Sequence, residues 1–228
     1  MKDVRIKIIG VGEDGIYSTS QLVSYDLDNI EILTDIKEIE NISELDFLLV
    51  VCNLNENIID DIKKIINITK EKNIFTILIS NEPKENIENL CIDSLIMVSG
   101  EDERDKSIIV VKALIESITN EFNKIEIDTI KEILSNKTSL ANIGIASGKN
   151  RIFTAAKTAI NDSTLNKSFK DAKNLLVHVM GYKNFNAKEL AKISGAIKEL
   201  IGEDVNTIYS AEINDQLDNN VAITIIAN

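Results

Sequence analysis

The sequence is poor in the residues that most often form metal sites, disulfides and covalent catalytic centres. Its 228 residues include one histidine, two cysteines, one proline and no tryptophan. Cys52 and Cys91 lie far apart in apolar segments, so we expect two buried free thiols in a reducing cytoplasm. With His178 as the single histidine, these counts exclude most zinc sites and any Cys–His nucleophilic pair, and the sequence predicts no metal site.

Long apolar runs and positive charge are also lacking. No uncharged apolar run approaches the roughly 18 residues that a membrane-spanning helix needs. Charges interrupt the first ten residues, which is atypical of a signal peptide. The 25 Lys and Arg residues against 37 Asp and Glu residues give a net charge of −12, which repels nucleic acid and anionic lipid. We therefore expect a cytoplasmic chain that binds neither nucleic acid nor a membrane directly.

Glycine is absent from much of the first half of the chain. There are nine glycines, and none lies between Gly15 and Gly100. A phosphate cradle needs backbone amides close to the ligand, and glycine permits that approach. Only residues 10–15 can therefore form a glycine-rich phosphate loop, and the sequence contains no Walker-type loop.

Apolar strand patterns alternate with helical patterns in the first half. The continuous apolar run DFLLVVC at 46–52 is typical of a strand buried on both faces of a parallel sheet. The other predicted strands are 4–9, 30–34, 74–79 and 94–99, and the predicted helices are 16–26 and 57–72. This alternation predicts an α/β fold with a doubly wound, Rossmann-like parallel sheet.

A helix that is apolar nearly all round, residues 107–122, separates the halves of the sequence and is expected to be enclosed. A second α/β unit follows, with predicted strands at 141–147, 174–180, 206–213 and 222–227 and helices at 150–161 and 187–201. Asn186 and Gly202 carry the start and stop signals of the last helix. We place domain boundaries at 1–106, 107–134 and 135–228.

The glycines near the N-terminus form a recognisable motif. They spell G-x-G-x-x-G between a predicted strand and a predicted helix, at Gly10, Gly12 and Gly15. Asp35 follows twenty residues after the last glycine, where a dinucleotide-binding turn places a carboxylate on the ribose. Glu13 and Asp14 stand at the tip and would oppose an anion by about 1 kcal/mol each. The alternative interpretation is a tight strand–helix turn that needs its glycines only for packing.

The second half resembles a known family. The stretch SNKTSLANIGIASGKNRIFTAAKTAINDSTLN (135–166), with its ASGKNR core, is similar to the start of the C-terminal domain of bacterial FtsZ. The resemblance continues through DAKNLLVHVMG (171–181) to VNTIYSAEINDQLDNNVAITIIAN (205–228), and IKIIGVGEDG (6–15) resembles the family's opening. It implies the FtsZ/tubulin fold: a nucleotide-binding parallel-sheet domain at 1–106, a long central helix, and a smaller α/β C-terminal domain at 135–228.

Compared with the family it resembles, the first domain lacks several segments that bind the nucleotide. The family's glycine-rich phosphate loop follows the strand that DFLLVV resembles, but here CNLNENIID (52–60) contains no glycine. The segment before DFLLVV is short, which implies deletion of another phosphate loop. The segment between SLIMVSGEDE and the central helix is short as well, where the family contacts base and ribose. The resemblance thus implies a shortened relative with a degenerate nucleotide site.

The family's catalytic loop has the form N-x-D-x-x-D and supplies acids to the neighbouring subunit's nucleotide. An ungapped count from Asn136 places Lys124, Glu126 and Thr129 at its three positions, so only Glu126 keeps an acid. A one-residue slip would place Asp128 at the last acid position. The alternative for Asp128 is the N-cap of the following helix.

Three functional hypotheses follow. The first is an FtsZ-like pseudo-GTPase without cofactor that acts by self-association or by modulating FtsZ assembly in bacterial division. The second is a module that still binds GTP through Gly10–Gly15 and Asp35, with little or no hydrolysis. The third is a dinucleotide-dependent oxidoreductase, which explains the first loop but not residues 135–228. Since the sequence ends at Asn228, where the family's globular core ends, we expect no FtsZ-type membrane-anchor peptide.

Overall fold

A computed structural model describes residues 4–23, 25, 27, 30–54, 57–81, 90–98, 103–119, 125–135, 137–161, 169–183 and 185–228. The chain divides into two compact units. Unit 1 comprises Met1–Val111 and Leu134–Thr138, and unit 2 comprises Lys112–Ile133 and Ser139–Asn228. In the described part of the chain, no helix is both long and apolar enough to cross a bilayer.

Unit 1 contains a parallel sheet. Its strands are β1 (Ile6–Val11), β2 (Glu31–Leu33), β3 (Phe47–Cys52), β4 (Phe75–Ser80) and β5 (Ser94–Val98). They lie in the order β2-β1-β3-β4-β5, and each adjacent pair is parallel. Every residue of β3 and β5 is buried, as continuous apolar strands require. The predicted α/β class is confirmed, and the strand order is that of a doubly wound sheet.

Three helices connect the first strands of unit 1: α1 (Gly12–Leu22), α2 (Ile36–Glu40) and α3 (Ile59–Glu71). The apolar stripe predicted on α3 is buried, at Ile62, Ile65, Ile66 and Thr69. α1 approaches the sheet very closely. A Cβ on Gly15 would overlap the carbonyl oxygen of Val51 in β3, so only glycine permits this spacing.

The boundary between the units falls inside one helix, α4 (Glu103–Thr119), which is followed by α5 (Ile127–Leu134). α4 begins four residues earlier than the sequence pattern predicts. Its apolar residues are almost wholly buried, as the all-round apolar pattern predicts, at Val110, Val111, Ala113, Leu114, Ile115 and Ile118.

Unit 2 contains a mixed sheet. Its elements are β6 (Lys137–Ala146), α6 (Arg151–Ile160), β7 (Asn174–Gly181), α7 (Ala187–Ile201), β8 (Asn206–Ile213) and β9 (Val221–Ala227), with 3₁₀ turns at Phe169–Asp171 and Asp215–Leu217. The strand order is β6-β9-β7-β8, with β9 antiparallel to β6 and β7, and β7 parallel to β8. α6 packs on one face, where Asn142 Nδ2 donates to the Ala159 carbonyl at 3.1 Å.

Four sequence expectations need correction. α1 starts at Gly12 rather than residue 16, because the positive φ of Gly12 turns the chain from strand to helix without an intervening loop. α2 was not expected, since its five residues are too few to show a periodic pattern. β6 begins at Lys137, four residues before the predicted start. Cys91 is exposed because it lies outside the strand that begins at Ser94, whereas Cys52 is buried as expected.

Substituting alanine for Gly15 tests the close approach of α1. We expect Gly15→Ala to destabilise the protein by about 1–3 kcal/mol, because the new methyl group collides with the β3 backbone. Gly195→Ala is the matched control. Gly195 lies inside α7, where a methyl group would meet no heavy atom within 4 Å beyond its own helix, so this variant should gain about 0.5–1 kcal/mol. Urea unfolding of both variants measures the difference, and equal effects would contradict the packing interpretation.

Candidate functional site

The topology of unit 1 points to one edge of its sheet. In doubly wound sheets, ligands bind outside the carboxyl ends of the strands, where the strand order reverses. In unit 1 this point lies between β1 and β3, because β2 lies on the other side of β1. α1 follows β1 and α3 follows β3, so the start of α1 and the chain after Cys52 form the candidate site.

The G-x-G-x-x-G motif forms a strand–helix junction with no intervening loop. Gly10 is in β1, and Gly12 is the first residue of α1, with a positive φ of 77°. A Cβ on Gly10 would overlap the Gly15 carbonyl and would lie 2.5 Å from Thr19 Oγ1. Gly10 and Gly15 therefore have a packing role whether or not a ligand binds, which supports the alternative interpretation of the motif.

Carboxylates occupy the first turn of α1. Glu13 is exposed, and the partly buried Asp14 accepts a hydrogen bond from Asn53 Nδ2 through Oδ2 at 2.6 Å. This bond joins α1 to the segment that follows β3. Two carboxylates of the chain itself, Glu13 and Asp14, thus lie near the positive end of the α1 dipole. One of them, Asp14, is hydrogen-bonded to an amide donor at the candidate site.

The segment after β3 is fixed by the end of β4. The backbone amide of Leu54 donates to Ser80 Oγ at 3.0 Å, and Ser80 Oγ donates to Asn81 Oδ1 at 3.1 Å. The next helix, α3, also begins with acidic residues, Asp60 and Asp61. The first turns of both helices at this edge are therefore negatively charged, the opposite of what a phosphate requires.

Asp35, the candidate ribose ligand, is the N-cap of α2. Its Oδ1 accepts a hydrogen bond from the Lys37 amide at 2.8 Å, and the Asp35 amide donates to Glu38 Oε1 at 2.8 Å, which completes a capping box. Because Glu38 accepts bonds from Thr34 and Asp35, its pKa is lowered. The position of Asp35 is thus explained by helix capping, and a ribose contact remains a hypothesis.

The catalytic-loop positions lie in unit 2, at the start of α5. Lys124 lies outside the described residues. Glu126 is exposed and directly precedes the helix, where its carbonyl accepts the Ile130 amide at 3.1 Å. Thr129 is in the first turn and partly buried. Asp128 is the second residue of α5, whereas the N-cap is the residue before the helix, so the N-cap interpretation is wrong. The carboxylate of Asp128 lies in the first turn, where it interacts favourably with the positive end of the helix dipole.

Unit 2 contains a buried polar network that the sequence does not predict. His178 of β7 is 2% exposed, and its Nδ1 lies 2.8 Å from Ser210 Oγ in β8. Ser210 Oγ also lies 2.6 Å from Ser117 Oγ of α4, which donates to the Ala113 carbonyl at 2.7 Å. His178 is thus a hydrogen-bonded core histidine.

The chemistry of His178 follows from its burial. Burial first, and the positive charge of Lys112 second, lower its pKa to about 3. Its Nε2 is buried without a hydrogen-bond partner among the described residues, which also disfavours the charged ring. Ser117 and Lys112 could have been noticed as polar positions in an otherwise apolar helix, but their partners on β8 depend on the tertiary fold.

Known proteins share this architecture. Residues 138–228 match the family model described as "FtsZ family, C-terminal domain". An FtsZ W319Y mutant from M. jannaschii is similar over 99% of this chain and 91% of that chain, with a TM-score of 0.82 and 17% identity. The family model thus matches the C-terminal part of the chain, and the chain as a whole has an FtsZ-like fold. The fold that the resemblance implies is therefore confirmed.

Two further structures describe assembled relatives. An empty FtsZ dimer from M. jannaschii gives a TM-score of 0.82 at 17% identity, covering 99% of this chain and 88% of that chain. A GTPγS-bound protofilament of CetZ2 from Haloferax volcanii gives 0.65 at 12% identity, covering 98% and 92%. At these identities the likeness establishes the FtsZ-like fold, and the function needs a separate argument.

No group of three or more His, Cys, Asp or Glu side chains in the described ranges is arranged to hold a metal ion. The acidic side chains at this edge of the unit 1 sheet instead repel anions.

The single histidine makes its ionisation directly measurable. We expect the imidazole signals of His178 to stay those of a neutral ring from pH 8 to pH 5, because its pKa is about 3. Two-dimensional ¹H–¹⁵N NMR of the ring nitrogens measures this without assignment, since no other histidine is present. The unfolded chain, with a pKa near 6.5, gains the proton first, so this residue lowers stability as the pH falls below 6.5. A titration of the folded protein near pH 6.5 would contradict the buried network.

Proposed function

We propose that this chain is an FtsZ-like pseudo-GTPase that acts by protein–protein contact, through self-association or through binding to FtsZ. The observation that supports this proposal most strongly is the presence of two carboxylates, Glu13 and Asp14, in the first turn of α1. Asp14 accepts a hydrogen bond from Asn53. These carboxylates occupy the edge of the sheet where a doubly wound fold binds phosphates.

Charge opposes a nucleotide phosphate at this edge. Glu13 and Asp14 would each repel a phosphate by about 1 kcal/mol at a partly solvated site. The amide of Asn53 already donates to Asp14, so a phosphate would have to compete with an attached carboxylate for that donor. The helix dipole cannot compensate fully, because these same carboxylates lie in its first turn.

The catalytic-loop positions also support loss of hydrolysis. Phosphoryl transfer depends on positioning and on stabilising developing charge. If the ungapped correspondence holds, Thr129 occupies the last acid position, and a hydroxyl cannot take the proton of an attacking water as a carboxylate does. The remaining acid, Glu126, is exposed ahead of α5.

A role in assembly is supported by the fold. The structures of two relatives that share it are described as a dimer and as a protofilament. We extend this to the present chain as a proposal: it associates with itself or joins FtsZ and alters its assembly, with cell division in the cytoplasm as the expected setting.

The alternative is a nucleotide-binding module that binds GTP with weak or no hydrolysis. The observation that favours it is the junction itself: Gly12, with positive φ, starts α1 at the point where the strand order reverses. GTP would contact Gly10, Gly12 and Gly15, and Asp35 would have to leave the α2 cap to reach a ribose.

Calorimetric titration of GTP with magnesium into nucleotide-stripped protein tests the proposal. We expect no binding up to millimolar GTP and no hydrolysis. Neutralising the acidic turn, with Glu13→Gln and Asp14→Asn together, should raise any residual affinity by about thirtyfold, since two repulsions of about 1 kcal/mol each add up to about 2 kcal/mol. Glu203→Gln with Asp204→Asn, an exposed Glu–Asp pair in unit 2, is the matched control and should leave the affinity unchanged. Micromolar binding by the wild type would instead favour the alternative.

Assembly is measured separately from nucleotide binding. We expect sedimentation velocity to show self-association that does not change when GTP is added, or a complex when purified FtsZ is mixed with the chain. A monomer that leaves FtsZ sedimentation and polymer mass unchanged would contradict the contact role. Strictly GTP-dependent association would again favour the alternative.

A further inference from the structure

The exposed apolar side chains of the chain are concentrated on one short segment. Seven large apolar residues are exposed in the described ranges, and four of them lie within residues 16–25. Ile16 is 61% exposed, Val23 is 73% exposed, and Tyr17 and Tyr25 are 44% and 37% exposed. Single exposed apolar residues are ordinary, whereas a group of them on one helix indicates an interaction surface.

The polarity of α1 is inverted relative to an ordinary surface helix. Such a helix turns its apolar residues toward the core and its polar residues outward. α1 instead buries Gly15, Ser18, Thr19 and Leu22, of which only the last is large and apolar. Its small polar side packs on the sheet, and Thr19 Oγ1 donates to the Gly15 carbonyl at 3.0 Å. The large apolar residues of α1 therefore face away from the sheet that the helix covers.

The outward face of α1 is self-complementary about Ser20. Ser20 is exposed and lies one helical turn after Ile16 and one turn before Val23, which keeps helical backbone angles, so the three residues share one face. A two-fold axis through Ser20 places Ile16 of one copy opposite Val23 of the other. The Ser20 hydroxyl donates to the Tyr17 carbonyl at 2.7 Å, so this donor stays satisfied when the face is covered.

Charge favours an antiparallel pairing of two such faces. Residues 15–25 contain no charged side chain, and the acids of α1, Glu13 and Asp14, lie at its N-terminal end. Glu13 lies seven residues before Ser20, so an antiparallel pair holds its two copies about 20 Å apart along the helix axes, beyond the screening length of about 8 Å. A parallel pair would place the acids side by side, where they repel.

The area of the face is close to what a stable dimer requires. Four side chains of this size and exposure present on the order of 400 Å² of apolar surface. A standard interface buries about 800 Å² on each partner, of which about 55–65% is apolar. The face thus supplies most of the apolar area of such an interface, and the exposed Glu13 and Gln21 supply part of a polar rim.

We propose that the outward face of α1, formed by Ile16, Tyr17, Ser20 and Val23, is the contact surface of a symmetric dimer, in which α1 packs antiparallel against α1 of a second copy of this chain. The proposal rests on the self-association that the proposed function includes, and it adds the surface, the symmetry and the stoichiometry. Because both copies use the same patch, the assembly closes at two copies.

Polar substitution of the face tests the dimer. Ile16→Gln with Val23→Gln should raise the dimer dissociation constant at least about tenfold in sedimentation velocity over a concentration series, because the apolar centre of the contact is lost. Both side chains are largely exposed, so the far-ultraviolet circular dichroism should stay that of the wild type. Ile145→Gln with Ile213→Gln is the matched control: these residues of unit 2 are 53% and 61% exposed, and the wild-type dissociation constant should be retained.

Disulfide formation tests the symmetry directly. A residue on a two-fold axis lies opposite its own copy, so Ser20→Cys should form a covalent dimer under mild oxidation. The experiment uses a Cys91→Ser background, because Cys91 is the exposed native thiol. Lys63→Cys in the same background, on the exposed side of α3, is the control and should stay monomeric on a non-reducing gel.

The outcomes separate this surface from the proposed function. Equally tight association after the glutamine substitutions would overturn the α1 contact and leave the proposed function standing. Association that continues beyond a dimer as the concentration rises would also overturn it, because an isologous contact closes. A wild type that stays monomeric up to about 100 µM would overturn the dimer, and complex formation with FtsZ would then decide the proposed function.

Discussion

Burial of the parallel sheet on both faces is the constraint on which unit 1 depends. Every residue of β3 and β5 is buried, so helices must cover the sheet on both sides and each connection must cross from one end of the sheet to the other. The crossing brings the start of α1 and the segment after β3 to the same edge. Gly15 sets how closely α1 lies against β3. The candidate site is thus a product of core packing, and its chemistry is decided by the residues that happen to begin each helix.

The residues at the helix starts decide which activity the site can support, and they can differ while the fold stays the same. The architecture is that of FtsZ, with a TM-score of 0.82, yet the helix starts at the critical edge carry acids and the chain after β3 has no glycine. A scaffold and its site change independently, because strand burial tolerates few substitutions whereas a helix start tolerates many. In unit 2, α6 packs on β9 and on α7, while a buried polar network lies between α4 and β8.

The sequence predicted elements well where local signals were complete. α7 has the predicted bounds because Asn186 caps it and Gly202, with a φ of 131°, ends it. The start of α1 was misplaced because its glycines suggest a loop, whereas α1 follows β1 directly and the chain changes direction at Gly12. Asp35 was interpreted as a ribose ligand because spacing alone cannot show a capping box with Glu38. The contact between Ser117 and Ser210 joins residues from distant parts of the sequence, and only the tertiary fold brings them together.

The bond between Asp14 and Asn53 has a thermodynamic consequence. A nucleotide-binding site that relies on its ligand for charge balance makes the stability of the native state depend on ligand concentration, through mass action. In this chain the anion at the start of α1 is covalently attached and always present. The contribution of Asp14 to the stability of the native state is therefore intramolecular, so it does not depend on the concentration of any free anion.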